Sequence, residues 1–152
     1  MLPILCLGIG AFAVYLVSRL VTTENRWLAF LTAGVFVASL ISLVPLVAAT
    51  RLASAAGLPL PSWGGTEPGS AALRSDPGAV VIVGVALALG ALTSVYSGRY
   101  LAQDRRKDLY YPLVLLMVVG LCGTVLAADL FSLYLFCELM SIAAYVLVAF
   151  RR

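Results

Sequence analysis

Residues Asp129 to Phe150 read DLFSLYLFCELMSIAAYVLVAF, an apolar run of helix length whose one internal carboxylate, Glu138, lies near its middle. At 1.5 Å rise per residue Glu138 sits roughly 14 Å beyond Asp129, about half of a ~30 Å hydrocarbon core. An acidic side chain at that depth costs roughly 2.5 to 3.5 kcal/mol on insertion scales, and each Leu, Ile, Phe or Val returns only about 0.3 to 0.6. The many apolar neighbours still carry the segment into a bilayer. Helical spacing places Tyr134, Glu138, Ser141 and Tyr145 on one face, at i−4, i, i+3 and i+7. A polar stripe on an otherwise apolar helix must face protein or water. The stretch therefore predicts an all-α membrane protein in which this helix meets either its neighbour, helix four, or a partner helix from elsewhere.

The rest of the chain agrees in composition. Its 152 residues are 62% hydrophobic and 11% charged, with no His, far from the balance of a water-soluble domain. A net charge of +3 spread along the chain gives no basic face for nucleic acid and is better read as a topology signal. Cys6, Cys122 and Cys137 all fall in apolar runs without C-x-x-C spacing. They read as small buried hydrophobes, and neither a metal nor a redox cofactor is expected. Gly8 and Gly10 form a G-x-G with no strand before it and no third glycine, a helix-packing feature and not a dinucleotide loop.

Five spans are predicted, at about 2–18, 27–49, 77–97, 109–128 and 129–150, forming a single transmembrane domain. The first lacks a basic n-region and a cleavage site, so it reads as a retained span rather than a signal peptide. Trp27 suits an interfacial belt at the head of the second, and Pro45 within it predicts a kink or an early helix end. Residues 50–76, rich in Gly and Pro, form a loop or short extended segment. Asp76-Pro77 then reads as a helix cap followed by proline in the first turn. Small residues at Gly84, Ala88 and Ala91, with Ala86, Gly90 and Ser94 beside them, predict close contacts for the third span, and Gly120, Thr124 and Ala128 do so for the fourth. The charged stretch 99–108, RYLAQDRRKD, cannot cross a membrane. The very short turn at 128/129 pairs the last two spans as antiparallel neighbours.

Of the ten Lys and Arg residues, only Arg51 and Arg74 fall on the side that holds the N-terminus and the 50–76 loop. The positive-inside rule then places the N-terminus outside, and the 99–108 loop and the C-terminus in the cytoplasm.

Four ordered pieces resemble a known family. Leu73-Arg74-Ser75-Asp76-Pro77 looks like the opening of its third span, and Ser94-Val95-Tyr96-Ser97 with Tyr100-Leu101 like the close of that span. Tyr110-Tyr111 heads a fourth span with a central glycine. Asp129-Leu130-Phe131 followed by Glu138-Leu139-Met140-Ser141 and Tyr145 is similar to the fifth. The family is that of the antiporter-like, proton-conducting membrane subunits of NADH-quinone oxidoreductase (respiratory complex I), membrane-bound hydrogenases and Mrp-type cation/proton antiporters. The likeness covers Leu73 to Phe150, and the run from Glu138 looks nearer the Mrp-type and quinone-reductase members.

The resemblance implies that Glu138 is the family's key glutamate, working with a lysine two helices further on. The only lysine here is Lys107, in the charged loop. Cys137 stands where the family commonly has a bulky aromatic. The implied function is that of a partial proton or sodium/proton translocating subunit of the cell inner (cytoplasmic) membrane. Glu138 would be its relay carboxylate, with Tyr134, Ser141 and Tyr145 as weaker candidates. Its partners would be lipid and other membrane subunits, including one completing the antiporter-like module, and it has no catalytic centre of its own. The alternatives are a structural or truncated subunit without transport, and a small transporter acting as an oligomer. The orientation is testable by accessibility. A cysteine placed at Lys107 should react with a membrane-impermeant label only from the cytoplasmic face, and labelling of intact cells from outside would overturn it.

Overall fold

The computed structural model describes residues 2–20, 25–64, 72–100 and 107–149. Residue 1, residues 21–24, 65–71 and 101–106, the last within the charged stretch, and everything from 150 onward lie outside the described residues. Five helices and one small hairpin follow in order: α1 (Leu2–Leu20), α2 (Asn25–Ala55), β1 (Ser62–Gly64), β2 (Ala72–Arg74), α3 (Pro77–Tyr100), α4 (Lys107–Leu126) and α5 (Leu130–Ala149). Four of these are long and apolar enough to cross a membrane, over Trp27–Ala55, Pro77–Arg99, Leu109–Leu126 and Leu130–Ala149. The chain is thus a multi-pass membrane protein. In α1 the corresponding apolar stretch among the described residues is shorter, Gly8–Val17.

The first four helices close a ring, with α1 packed on α2, α2 on α3, α3 on α4 and α4 back on α1. Phe36, Leu28, Val83, Leu87, Tyr111 and Leu115 fill its interior and are essentially inaccessible. Where the ring is tightest the sequence supplies glycine. The Phe36 ring lies over Gly90, Ala29 over Gly98, and Val35 against Gly10. Backbone approach of this kind is how apolar helices gain dispersion energy when lipid is as apolar as their side chains. Of the small residues expected at the contacts of α3, Ala86, Gly90 and Ser94 are buried, whereas Ala88 faces outward.

One expectation is corrected. α2 passes Pro45, where a kink or an early end was expected, and continues to Ala55, so the loop begins six residues later than its predicted start at 50. Proline removes one backbone bond, while Leu43 and Leu46 on either side are buried and hold the helix in place. Within 50–76 the chain has short extended segments, one of the two forms expected there. Strands β1 and β2 pair antiparallel with Trp63 opposite Leu73, and the Ser75 N–H and Oγ both donate to the Pro61 carbonyl, at 3.0 and 3.1 Å.

α5 stands outside the ring and packs chiefly on α4. The two are antiparallel, as the short connection at 127–129 requires. Gly120 and Gly123 form the contact. A Cβ on Gly120 would lie 2.9 Å from the backbone nitrogen of Met140, and one on Gly123 would overlap the Phe136 ring. Thr124, also expected there, lies at the contact, but Ala128 is exposed.

Candidate functional site

The site is built on α5, and its position starts with the cap. Asp129 precedes the first helical residue, and its Oδ2 accepts the Ser132 N–H at 2.8 Å, as an N-cap carboxylate does. Its other oxygen, Oδ1, accepts the Ala72 N–H from β2 at 2.7 Å. The Ala128 N–H returns a bond to the Ala72 carbonyl at 2.9 Å, and Leu73 bridges Ala127. One carboxylate therefore closes the head of α5 and ties it to the β1–β2 hairpin. The Ser132 N–H, and after it the Ala72 N–H, hold the Asp129 carboxyl below the ordinary carboxylate range, because donors aimed at the charged form favour it.

The faces of α5 follow from its period of 3.6 residues. Toward α4 it turns Ser132 and Ala143, both buried, with Phe136, Leu139 and Leu147 packed on the core and Met140 against Gly120. At about 100° per residue the stripe of Tyr134, Glu138, Ser141 and Tyr145 centres about 170° away from that line. The exposures agree: Tyr134 is 65% and Tyr145 76% accessible, Glu138 is exposed and Ser141 half-buried. All four side chains expected from the sequence thus share one face, and it is the face opposite α4. Of the two neighbours expected for Glu138, helix four or a partner helix, helix four lies on the other side of α5. Among the described residues Glu138 has no hydrogen-bond or ion-pair partner.

Cys137 lies toward the α4 side, with Sγ 3.9 Å from the Thr124 Oγ1. Cys122, on α4, is fully buried. Further back, the Ser97 and Tyr110 hydroxyls lie 2.9 Å apart and join α3 to α4, which brings two of the resembling pieces into contact. Sequence reading located Asp129 at the start of the helix but missed its second partner. The cap has a local signal, a carboxylate three residues before the amide it accepts. Ala72 lies fifty-seven residues away and leaves none.

No family model matches the chain. It is similar to an Na(+)/H(+) antiporter subunit of Bacillus subtilis (strain 168), 34% identical over 93 residues, which is 60% of this chain and 19% of that protein. It is 38% identical over 92 residues to the NADH-quinone oxidoreductase subunit N of Desulforudis audaxviator, covering 59% of this chain and 17% of the relative. The subunit N of Laribacter hongkongensis is 30% identical over 154 residues, 99% of this chain and 29% of its own length. The chain therefore spans less than a third of the curated relatives it matches. They are antiporter and quinone-oxidoreductase subunits, which is the family the sequence resembles.

The cap gives a pH-dependent prediction. A carboxyl whose folded value is lowered contributes stability that is fully present above its unfolded value, about 4, and is lost as pH falls through the folded one. Wild-type protein in detergent should lose thermal stability on acidification below about pH 4. Asp129→Ala should start less stable at neutral pH and lose less on acidification. Identical acid dependence of the two would show that the cap contributes nothing.

Proposed function

We propose that the chain is an ion-translocating membrane subunit, moving protons or exchanging sodium for protons, of an NADH-quinone oxidoreductase or Mrp-type antiporter complex. In this reading Glu138 is the intramembrane carboxylate that takes up and releases a proton. The observation that carries it is the placement of Glu138 at the middle of α5, on a face that no helix of the ring covers. Ionisable groups at such depth are expensive and are found where an ion path or a buried partner needs them. The relatives named antiporter and quinone-oxidoreductase subunits support the same reading.

The chemistry asked of the stripe is modest. Glu138 exchanges a proton, while the hydroxyls of Tyr134, Ser141 and Tyr145 can donate to its charged form and accept from its protonated form. A carboxylate left in hydrocarbon without a partner is unstable, so a further membrane-spanning helix in the complex covers this face and supplies a cation. Lys107 stands at the first residue of α4, outside the apolar spans, and does not fill that role. The chain lies in the inner membrane, with five crossings, its N-terminus outside and its charged loop in the cytoplasm.

The test is Glu138→Gln in the assembled complex in vesicles. Gln keeps the shape and most of the hydrogen bonding but cannot gain or lose a proton. Proton or sodium flux should fall by about a hundredfold or more, the scale of a lost proton-transfer group, while membrane insertion and assembly are unchanged. Wild-type flux from a fully assembled variant would reject the relay and leave a structural subunit.

A further inference from the structure

Among the described residues α5 is held chiefly from two directions. Along its length it rests on α4 through the glycine contacts at Gly120 and Gly123 and the 3.9 Å approach of Thr124 to Cys137. At its head it is tied to the β1–β2 hairpin through Asp129, Ala128 and Ala127. The first is a dispersion contact in which Phe136 and Met140 seat against Gly123 and Gly120; it selects the side of α5 that lies on α4 and resists separation of the helices more than small sliding of one on the other. The second is directional. The Asp129 carboxylate is bonded on one oxygen to α5 itself and on the other to β2, and β2 continues through Ser75 into the cap of α3 at Asp76, whose carbonyl accepts the Val80 N–H at 3.0 Å.

From this we infer that Asp129 is a positioning residue for Glu138: its bond to the Ala72 N–H sets the depth and fine rotation of α5 within the side that the glycine contacts select, and so fixes where Glu138 sits. The inference rests on the reading of Glu138 as the relay carboxylate. Glu138 lies two and a half turns from the tie, and a continuous helix transmits a rotation at its head to that point directly. Tyr134 and Tyr145 are the titratable groups on its side of α5. α4, packed on the opposite side, presents none to it. The cap and the tie are separable, because Asn caps helices as well as Asp does but has only one acceptor oxygen. Asp129→Asn therefore keeps the helix start and loses the tie. Ala72→Pro removes the same bond from the other end, as proline has no N–H and is tolerated at the first residue of a strand.

The position of α5 beside Glu138 is read by a disulfide. Thr124→Cys places a thiol beside the native Cys137, with Cys6 and Cys122 replaced by alanine. In the full chain in lipid vesicles, oxidation should cross-link this pair. The yield should drop at least about twofold in Asp129→Asn and in Ala72→Pro, and no further when both are combined, since they break one bond. In the assembled complex both variants should lose flux at unchanged assembly, and forming the disulfide should restore it by holding α5 where the tie held it. Unchanged cross-linking in both variants would overturn the inference, and so would lost flux that the disulfide fails to restore. The relay reading fails separately, through wild-type flux in Glu138→Gln, and the cross-linking yields judge the tie in either case.

Discussion

Hydrocarbon offers no hydrogen bonds, so every polar group carried into it must find its partner inside the protein. The helical ring meets this requirement locally. The hydroxyls of Thr32, Ser39, Ser94 and Thr124 each donate to a carbonyl of their own helix one turn earlier, at 2.6 to 2.9 Å, and they sit among apolar residues at no further expense. Ser42 and Thr50 do the same at a spacing of three. On the outer face of α5 the same solution is unavailable. A carboxylate cannot back-bond to a carbonyl, and the hydroxyls of Tyr134 and Tyr145 extend too far from the helix axis to reach one. Glu138 and its neighbours are the place where the local remedy fails, and there the chain calls for a partner.

The exposed flank of α5 differs in kind from the other outward faces. Val81, Ile82, Val85, Leu89 and Leu92 on α3 and Phe30, Val37, Ile41 and Val44 on α2 are also exposed, and acyl chains satisfy them fully. A lipid chain beside Glu138 gives it nothing. Exposure of aliphatic side chains thus reads as contact with the bilayer, whereas exposure of a mid-helix acid reads as a missing neighbour. The architecture accords with this, because α5 alone stands outside the ring and is anchored at its head by Asp129.

Much of this was legible in the sequence. The helical, membrane-spanning character followed from apolar run length, and the grouping of Tyr134, Glu138, Ser141 and Tyr145 from the helical period, since both are local properties. What escaped was set by distance. Nothing near Asp129 indicates that its second oxygen meets Ala72, and nothing near Glu138 indicates which side of α5 would lie on α4. That side is chosen by Gly120 and Gly123 on another helix, against Phe136 and Met140. The extension of α2 from its predicted end at 49 to Ala55 was missed for a related reason. Proline carries a local signal to stop, and the burial of Leu43 and Leu46 against neighbouring helices overrides it.

The claim on which the rest turns is that protein bearing a cation, and not lipid, covers the outer face of α5 in the membrane. Photo-cross-linking from a benzophenone side chain at Tyr145, in native membranes that contain the assembled complex, measures this directly. The expected result is an adduct with one membrane-spanning protein segment, whose attachment site maps within an apolar helix beside a lysine or arginine. Adducts with lipid alone, from chains shown to be assembled, would contradict it.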